Sequence, residues 1–304
     1  MSTSTVPPVA EAAPTGRSRP RSRPEPGESR ANWPVRITLA LVVVGFVIPT
    51  LGLLVTSFRT REDATSTSWW GAILRFWDND WTLNSYREVL DAGMGNAFIN
   101  SLVVTIPATI IPILIAAMAA YAFTFLQFRG RDWLFVLVVG LLVVPNQVAL
   151  MPLLQLFNQF GLVGEFITVW LAHTGFGMPL AVFILRNYMS TLPKAVIESA
   201  KIDGASHYQT FWRLILPMSV PALAAFAIFQ FLWVWNDLLI AVLFIGSGRN
   251  EVVTVALQGL IGQYGQRWDL LSSGAFISML VPVIVFFALQ RYFVRGMTAG
   301  AVKG

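Results

Sequence analysis

An all-α polytopic membrane protein with six transmembrane helices is the architecture this sequence predicts, and three observations carry it. The chain is 55% hydrophobic and only 12% charged, whereas a soluble domain carries about 25% charged residues. Several uncharged runs reach the roughly 20 residues that a helix needs to cross a bilayer. The short alternating segments of a membrane sheet barrel are missing. The net charge of +5 does not point to nucleic acid, because most Lys and Arg sit in the amino-terminal tail and in alternate loops, where they set membrane orientation. The chain has no cysteine, so disulfides and thiolate sites are excluded. Its two histidines, His173 and His207, are too far apart in sequence to suggest a histidine-rich metal centre. No metal and no cofactor is expected.

Residues 1–33 are rich in Pro, Ser, Arg and Glu, with Arg17, Arg19, Arg21, Arg23 and Arg30 making them basic. They hold too little apolar surface to offset the entropy of ordering, so a disordered cytoplasmic tail brushing anionic headgroups is expected. Residues 34–304 form the transmembrane domain, with its core at about 96–294. The first span is expected near 35–57, with Pro49 and Gly52 as kink points. A polar, aromatic stretch follows, in which Trp69, Trp70, Trp77 and Trp81 suit a membrane interface. The second span covers about 96–126 and is interrupted by Pro107 and Pro112. The third covers 133–157, with Pro145, Asn146 and Gln147 in mid-span. The fourth covers 166–185, the fifth 218–246 and the sixth 275–294.

Between the fourth and fifth spans lies a stretch that lipid cannot accommodate, residues 193–217, PKAVIESAKIDGASHYQTFWRLILP. Lys194, Glu198, Lys201, Asp203, His207 and Arg213 are spread through it. Pro193 suits a first helical position with Thr191 as cap. A short helix then runs to Ile202, and Asp203-Gly204 stops it, since glycine accepts the left-handed geometry of a helix end. A second short helix covers about 206–214. The result is a helix–turn–helix knob in water, either a passive loop or a grip for another protein. With the amino terminus inside, only Arg59, Arg61, Arg75, Arg87, Arg249 and Arg267 fall outside, leaving 15 of the 21 Lys and Arg on the side of the knob and both termini. That asymmetry makes this side cytoplasmic.

The chain has no G-x-x-x-x-G-K-[ST] phosphate cradle, no G-x-S-x-G and no H-E-x-x-H. It is therefore not expected to be an enzyme. Its one intramembrane polar cluster is Gln230, Asn236 and Asp237, beside Trp233 and Trp235. A carboxylate in lipid costs a few kcal/mol, so Asp237 should face a bundle interior or a cavity. Three roles stay open for it: orienting Asn236 and a tryptophan along a sugar path, partnering a buried polar group, or relaying protons. Tryptophan faces stack on sugar rings, but they also simply pack. Asn146 and Gln147 carry the same ambiguity. Asn100, Ser101 and Thr105 read as helix–helix contacts, and His173 as a neutral, hydrogen-bonded packing residue.

The knob resembles the cytoplasmic coupling motif of ABC importer permeases. That pattern is Glu-Ala-Ala, three residues, Gly, nine residues, Ile, one residue, Leu-Pro. Glu198-Ser199-Ala200 matches with Ser in second place, Gly204 follows after three residues, Leu214 replaces the isoleucine and Leu216-Pro217 closes the pattern. The carboxyl terminus from Gln290 to Gly304 and the segment Phe229 to Asp237 are similar to those of maltose-type carbohydrate permeases, and residues 143–150 and 172–177 to the α-glucoside branch. The resemblance implies a type I ABC importer permease fold and a non-catalytic subunit of the bacterial cell membrane, with no cofactor. Its implied partners are a second homologous permease, two ATP-binding subunits, an extracellular solute-binding protein, the bilayer and a carbohydrate, with no nucleic acid. It further implies that Glu198, Ser199, Ala200, Asp203, Gly204, Leu216 and Pro217 couple to the ATPase. The tail of Gly300, Ala301, Val302, Lys303 and Gly304 would reach towards the ATPase dimer. Asn146, Gln147, Gln230, Trp233, Asn236 and Asp237 are candidates for the substrate path, although in maltose-type systems the partner permease holds much of the sugar. The alternatives are a non-sugar cargo in the same kind of importer and a stand-alone proton-coupled sugar carrier.

Overall fold

The computed structural model describes the backbone of residues 33–264 and 267–301 and the side chains of residues 33–261 and 267–289. The expected basic tail, residues 1–33, lies outside the described residues apart from Trp33. The chain divides into two units, residues 1–49 and 50–304. The first is described only through the opening of helix α1 (Trp33–Ser57), whose side chains are exposed from Trp33 to Pro49. That is the surface of a helix made for lipid, apolar all round.

The second unit begins with the last residues of α1. Helices α2 (Arg61–Ser66) and α3 (Trp69–Leu74) are short, and the hydroxyls of Thr60 and Ser68 cap them by accepting from Asp63 N and Gly71 N. Helix α4 (Asn84–Val89) leads through a wide turn with Gly93 at φ 107° into α5 (Gly95–Phe125). Helix α6 (Arg131–Gly140) gives way to a tight turn at 141–143, and α7 (Asn146–Gln159) departs at 99°. Pro145 explains the bend. Its ring forces Val144 into an extended conformation, ψ 119°, and removes an amide that the helix would need. The third span is therefore a bent pair, and Asn146 and Gln147 open its second arm instead of lying mid-helix.

Helix α8 (Phe166–Met189) runs one turn beyond its expected end. The knob consists of α9 (Lys194–Ile202), α10 (His207–Thr210), a wide turn at 211–215 and α11 (Leu216–Met218). Two local expectations fail here. Pro193 is the cap of α9, not its first residue, and the Thr191 hydroxyl donates back to the Tyr188 carbonyl at 2.7 Å. Ser206 and Gln209 form a reciprocal capping box that starts α10.

Helix α12 (Val220–Trp235) meets the knob's second arm at 71°. It ends at Trp235, so the expected fifth span to residue 246 is two helices, the second being α13 (Leu239–Phe244). Helix α14 (Val253–Tyr264) was not anticipated, and α15 (Trp268–Ala301) starts at Trp268, not near Ala275. Among the described residues four helical segments are long and apolar enough to cross a membrane, and counting each bent pair as one span gives six. Among the described residues there is no strand, only an isolated bridge between Arg59 and Trp81.

The core forms where small residues let helices close up. Ala116, Ala117 and Ala120 of α5 are fully buried against Ala181 and Leu185 of α8, as expected where association in lipid relies on close van der Waals packing. Ile197, Phe211 and Ile215 of the knob belong to the same cluster. The knob is thus packed onto the α5–α8 pair and is not a loose loop. Ser101 meets Val253 N at 2.8 Å, and Asn100 donates to the carbonyls of Arg249 and Glu251 at 3.1 and 2.9 Å. The Ser101 contact joins α5 to the start of α14, as expected of a helix–helix contact, whereas Asn100 ties α5 to the loop before α14.

Candidate functional site: an outward knob and an intramembrane cavity

Helix α9 is two-faced. Ile197 and Ala200 are buried towards the domain, while Glu198, Ser199, Lys201, Ile202, Asp203 and Gly204 are exposed. Ile202 is 86% exposed and Tyr208 of α10 73% exposed, so two large apolar groups stand out among polar ones. The helix ends tightly: Gly204 N donates to the Lys201 carbonyl at 3.1 Å and Ala205 N to that of Ala200 at 2.9 Å. Gly204 sits at φ 76° with no atom within 4 Å of where a Cβ would be. That left-handed backbone favours glycine, and the space beside it is free of the described residues. Leu216 packs on the core and Pro217 is exposed at the far end of the knob. Tyr121 Oη lies 3.1 Å from His207 Nδ1, tying α10 to α5. Gly300 and Ala301 end α15. Val302, Lys303 and Gly304 lie outside the described residues.

A cavity of about 210 Å³ opens between α7, α8 and α12, lined by Asn146, Phe176, Gly177, Phe229, Gln230 and Trp233 among others. Three of the six path candidates therefore come together: Asn146, Gln230 and Trp233. The bend at Pro145 puts Asn146 there. Gln230 is wholly buried, and its Nε2 donates to the carbonyls of Ala108 at 3.2 Å and His173 at 3.4 Å. Its Oε1 has no hydrogen-bond partner among the described residues, although a buried amide normally satisfies both ends. The remaining candidates are elsewhere. Gln147 is exposed. Asn236 is exposed and donates to the Leu232 carbonyl of its own helix at 2.7 Å. Asp237 Oδ2 accepts from Ile240 N at 2.9 Å and Ala241 N at 3.2 Å, capping α13.

Asp237 is not isolated. Its Oδ2 lies 3.8 Å from His173 Nε2. His173 is 1% exposed and packs edge-on against Trp233, centroids 5.0 Å apart. Contrary to expectation, neither of its ring nitrogens makes a hydrogen bond among the described residues. The hydroxyls of Thr109 and Thr174 are likewise buried without a partner among the described residues.

Sequence reasoning passed over one polar cluster. Arg267 donates to both oxygens of Glu88, at 2.9 and 2.7 Å, and to Asp269 at 2.8 Å. Hydrogen bonds to Asp269 and Glu88 hold its guanidinium well above the usual arginine range. Ser85 Oγ also donates to Asp269 at 3.1 Å. The cluster joins α4 to the start of α15 across 179 residues of sequence, and nothing in the local pattern marks it.

A family of proteins described as binding-protein-dependent transport system inner membrane components matches residues 111–299. The osmoprotective compounds uptake permease protein GgtD of Synechocystis sp. is 52% identical over 276 residues, covering 89% of this chain and 92% of that one. The alpha-glucoside transport system permease protein AglG of Rhizobium meliloti is 56% identical over 230 residues, 73% of this chain and 60% of that longer one. Among solved structures, a bacterial ABC transporter that imports the acidic polysaccharide alginate aligns with TM-score 0.69 at 18% identity, over 85% of this chain and 94% of that one. At such identity the likeness speaks for the fold.

Proposed function

This chain belongs to the binding-protein-dependent transport system inner membrane components, and from that premise we propose that it is the membrane-spanning permease subunit of an ATP-driven carbohydrate importer. The cargo is an α-glucoside or another oligosaccharide. Membership, with 56% identity to an α-glucoside permease, is the observation that carries this reading. The osmoprotectant uptake named for GgtD favours one second reading, in which the cargo is a small osmoprotective solute.

In this reading residues 1–33 are a cytoplasmic tail, 34–304 the permease domain with its core at about 96–294, and 193–217 the coupling loop. Both termini are cytoplasmic, and the chain has no catalysis of its own. It works with a second permease chain, two ATP-binding subunits and an extracellular solute-binding protein. The exposed face of Glu198, Ser199, Asp203 and Gly204 docks on an ATP-binding subunit, with Ile202 as its apolar anchor. Because Ile197, Phe211 and Ile215 are buried in the α5–α8 core, a push on α9 passes to the membrane helices as rigid-body motion and alternates access. Asn146, Gln230 and Trp233 line the sugar's path. The unpaired Oε1 of Gln230 is suited to accept from a sugar hydroxyl, and the Trp233 face to stack on its ring.

A pull-down of the tagged chain in mild detergent tests this. A second permease and an ATPase should co-purify, and their companion binding protein should retain α-glucosides. A chain that purifies alone and stable overturns the assembly. An intact assembly whose binding protein ignores sugars overturns only the cargo.

A further inference from the structure

A second groove, of about 340 Å³, opens beside the knob where the end of α5, the start of α6, the end of α8 and α9 converge. Four cations line it, Arg131, Arg186, Lys194 and Lys201, against the single carboxylate of Glu198. Only Arg131 has an ion pair, with Asp132 at 3.0 Å. Among the described residues no carboxylate lies within ion-pair reach of Arg186, Lys194 or Lys201. Arg186 instead holds its guanidinium 4.2 Å from the centre of the Phe135 ring, fixed in place but not neutralised. Helix α9 opens at Lys194 with no side chain capping it, so its positive end adds to the same corner. Like charges gathered in one groove repel, and an anion seated among them would be attracted by all of them.

The rest of the lining includes the apolar side chains of Phe123, Phe125, Leu192 and Ile197. From Arg131 the surface of α6 continues as Trp133, Leu134, Val136 and Leu137, between 47% and 81% exposed. This is the face of a membrane helix that meets lipid tails. A free phosphate would use the cations and leave the apolar side chains wet. A molecule with a phosphate at one end and a hydrocarbon chain at the other satisfies both.

We propose that this groove holds the phosphate of an anionic phospholipid from the leaflet on the knob's side, with Arg186, Lys194 and Lys201 around the phosphate and an acyl chain along α6. Basic pockets between membrane helices recognise such headgroups. The inference goes beyond the transport reading and takes from it only which leaflet is meant. Its consequence is a lipid seated between α8 and α9, where it ties the root of the knob to the bilayer.

The test is native mass spectrometry of the full chain, purified in mild detergent with its co-purifying subunits and supplied with defined lipids. Phosphatidylglycerol should bind at one saturable site, and phosphatidylcholine and diacylglycerol should not. Arg186→Gln and Lys194→Gln should each weaken it about fivefold, and Arg186→Lys should restore most of the loss. Inorganic phosphate at millimolar concentration should not displace the lipid. Unchanged retention of phosphatidylglycerol in the double variant overturns the site. Displacement by inorganic phosphate assigns it to a free anion and overturns the lipid. Absence of the lipid from the whole assembly, with binding only once the other subunits are stripped, assigns the groove to a protein partner and also overturns it. If Arg186→Gln elutes as aggregate, Lys194→Gln carries the test, because Lys194 is exposed on the first turn of α9. These readouts need no transport, so they stand or fall apart from the importer reading.

Discussion

Gly177 and Gln230 occupy one space: a Cβ at position 177 would stand 2.6 Å from Gln230 Oε1 and 2.8 Å from its Nε2. The glycine on α8 makes room for a glutamine on α12 whose amide reaches the Ala108 carbonyl of α5. Three helices therefore meet at one buried amide. Gly177→Ala should cost about 1–3 kcal/mol through overpacking. Gln230→Ala in the same background should recover much of that loss, so a double-mutant cycle read by thermal unfolding should show strong coupling. Simple additivity would contradict the contact.

Gly204 presents the opposite situation, because none of the described residues would touch its Cβ. Asp and Asn tolerate left-handed backbone better than other side chains, so Gly204→Asp should fold and insert with a stability cost of about 1–2 kcal/mol. Uptake should nevertheless be abolished, since the free space belongs to the docking partner. Normal uptake in that variant would remove position 204 from the coupling surface. Loss of membrane insertion would show a structural role instead.

Arg267 should matter for stability far from either site. Arg267→Ala strands the carboxylate of Asp269, which is 1% exposed, and removal of one partner of a buried pair typically costs about 3–5 kcal/mol. Glu88 is half exposed, so Glu88→Gln should cost about 1 kcal/mol or less. Thermal unfolding of the two variants should separate them clearly. Equal effects would mean that the Arg267–Asp269 contact contributes little.

Asp237 caps α13 through Oδ2. Asp237→Ala should lose that cap, at about 0.5–2 kcal/mol. Asp237→Asn keeps an oxygen acceptor and should retain both stability and uptake. A stable Asp237→Asn protein without uptake would show instead that the charge itself is used, as in a proton relay with His173 at 3.8 Å.

The fold class was legible because the bilayer imposes it. Uncharged runs of membrane length and the Lys and Arg asymmetry are properties of the chain, readable without contacts. The knob was legible for a similar reason, since its six charged or titratable residues cannot enter lipid and Asp203-Gly204 ends a helix by local geometry. The path residues were only half legible. Composition placed Asn146, Gln147, Gln230, Trp233, Asn236 and Asp237 together as polar or aromatic groups at membrane depth. Which way each points depends on breaks at Pro145 and after Trp235. Helix α14 escaped notice because its 12 residues, interrupted by Thr254, Gln258 and Gln263, are too few and too mixed to announce a span.

The sequence by itself determined that this chain crosses a membrane in helices, keeps a charged helix pair in water, and holds no phosphate cradle of its own. Those follow from solvation and from backbone rules that act over a few residues. Only the tertiary structure decided that Asn146, Gln230 and Trp233 share a cavity while Gln147 and Asn236 do not, that Asp237 stands beside His173, and that Arg186, Lys194 and Lys201 line one groove. These are contacts between helices distant in sequence. They depend on the rotation of each helix and the angle at each proline or glycine break, neither of which is a property of any single segment.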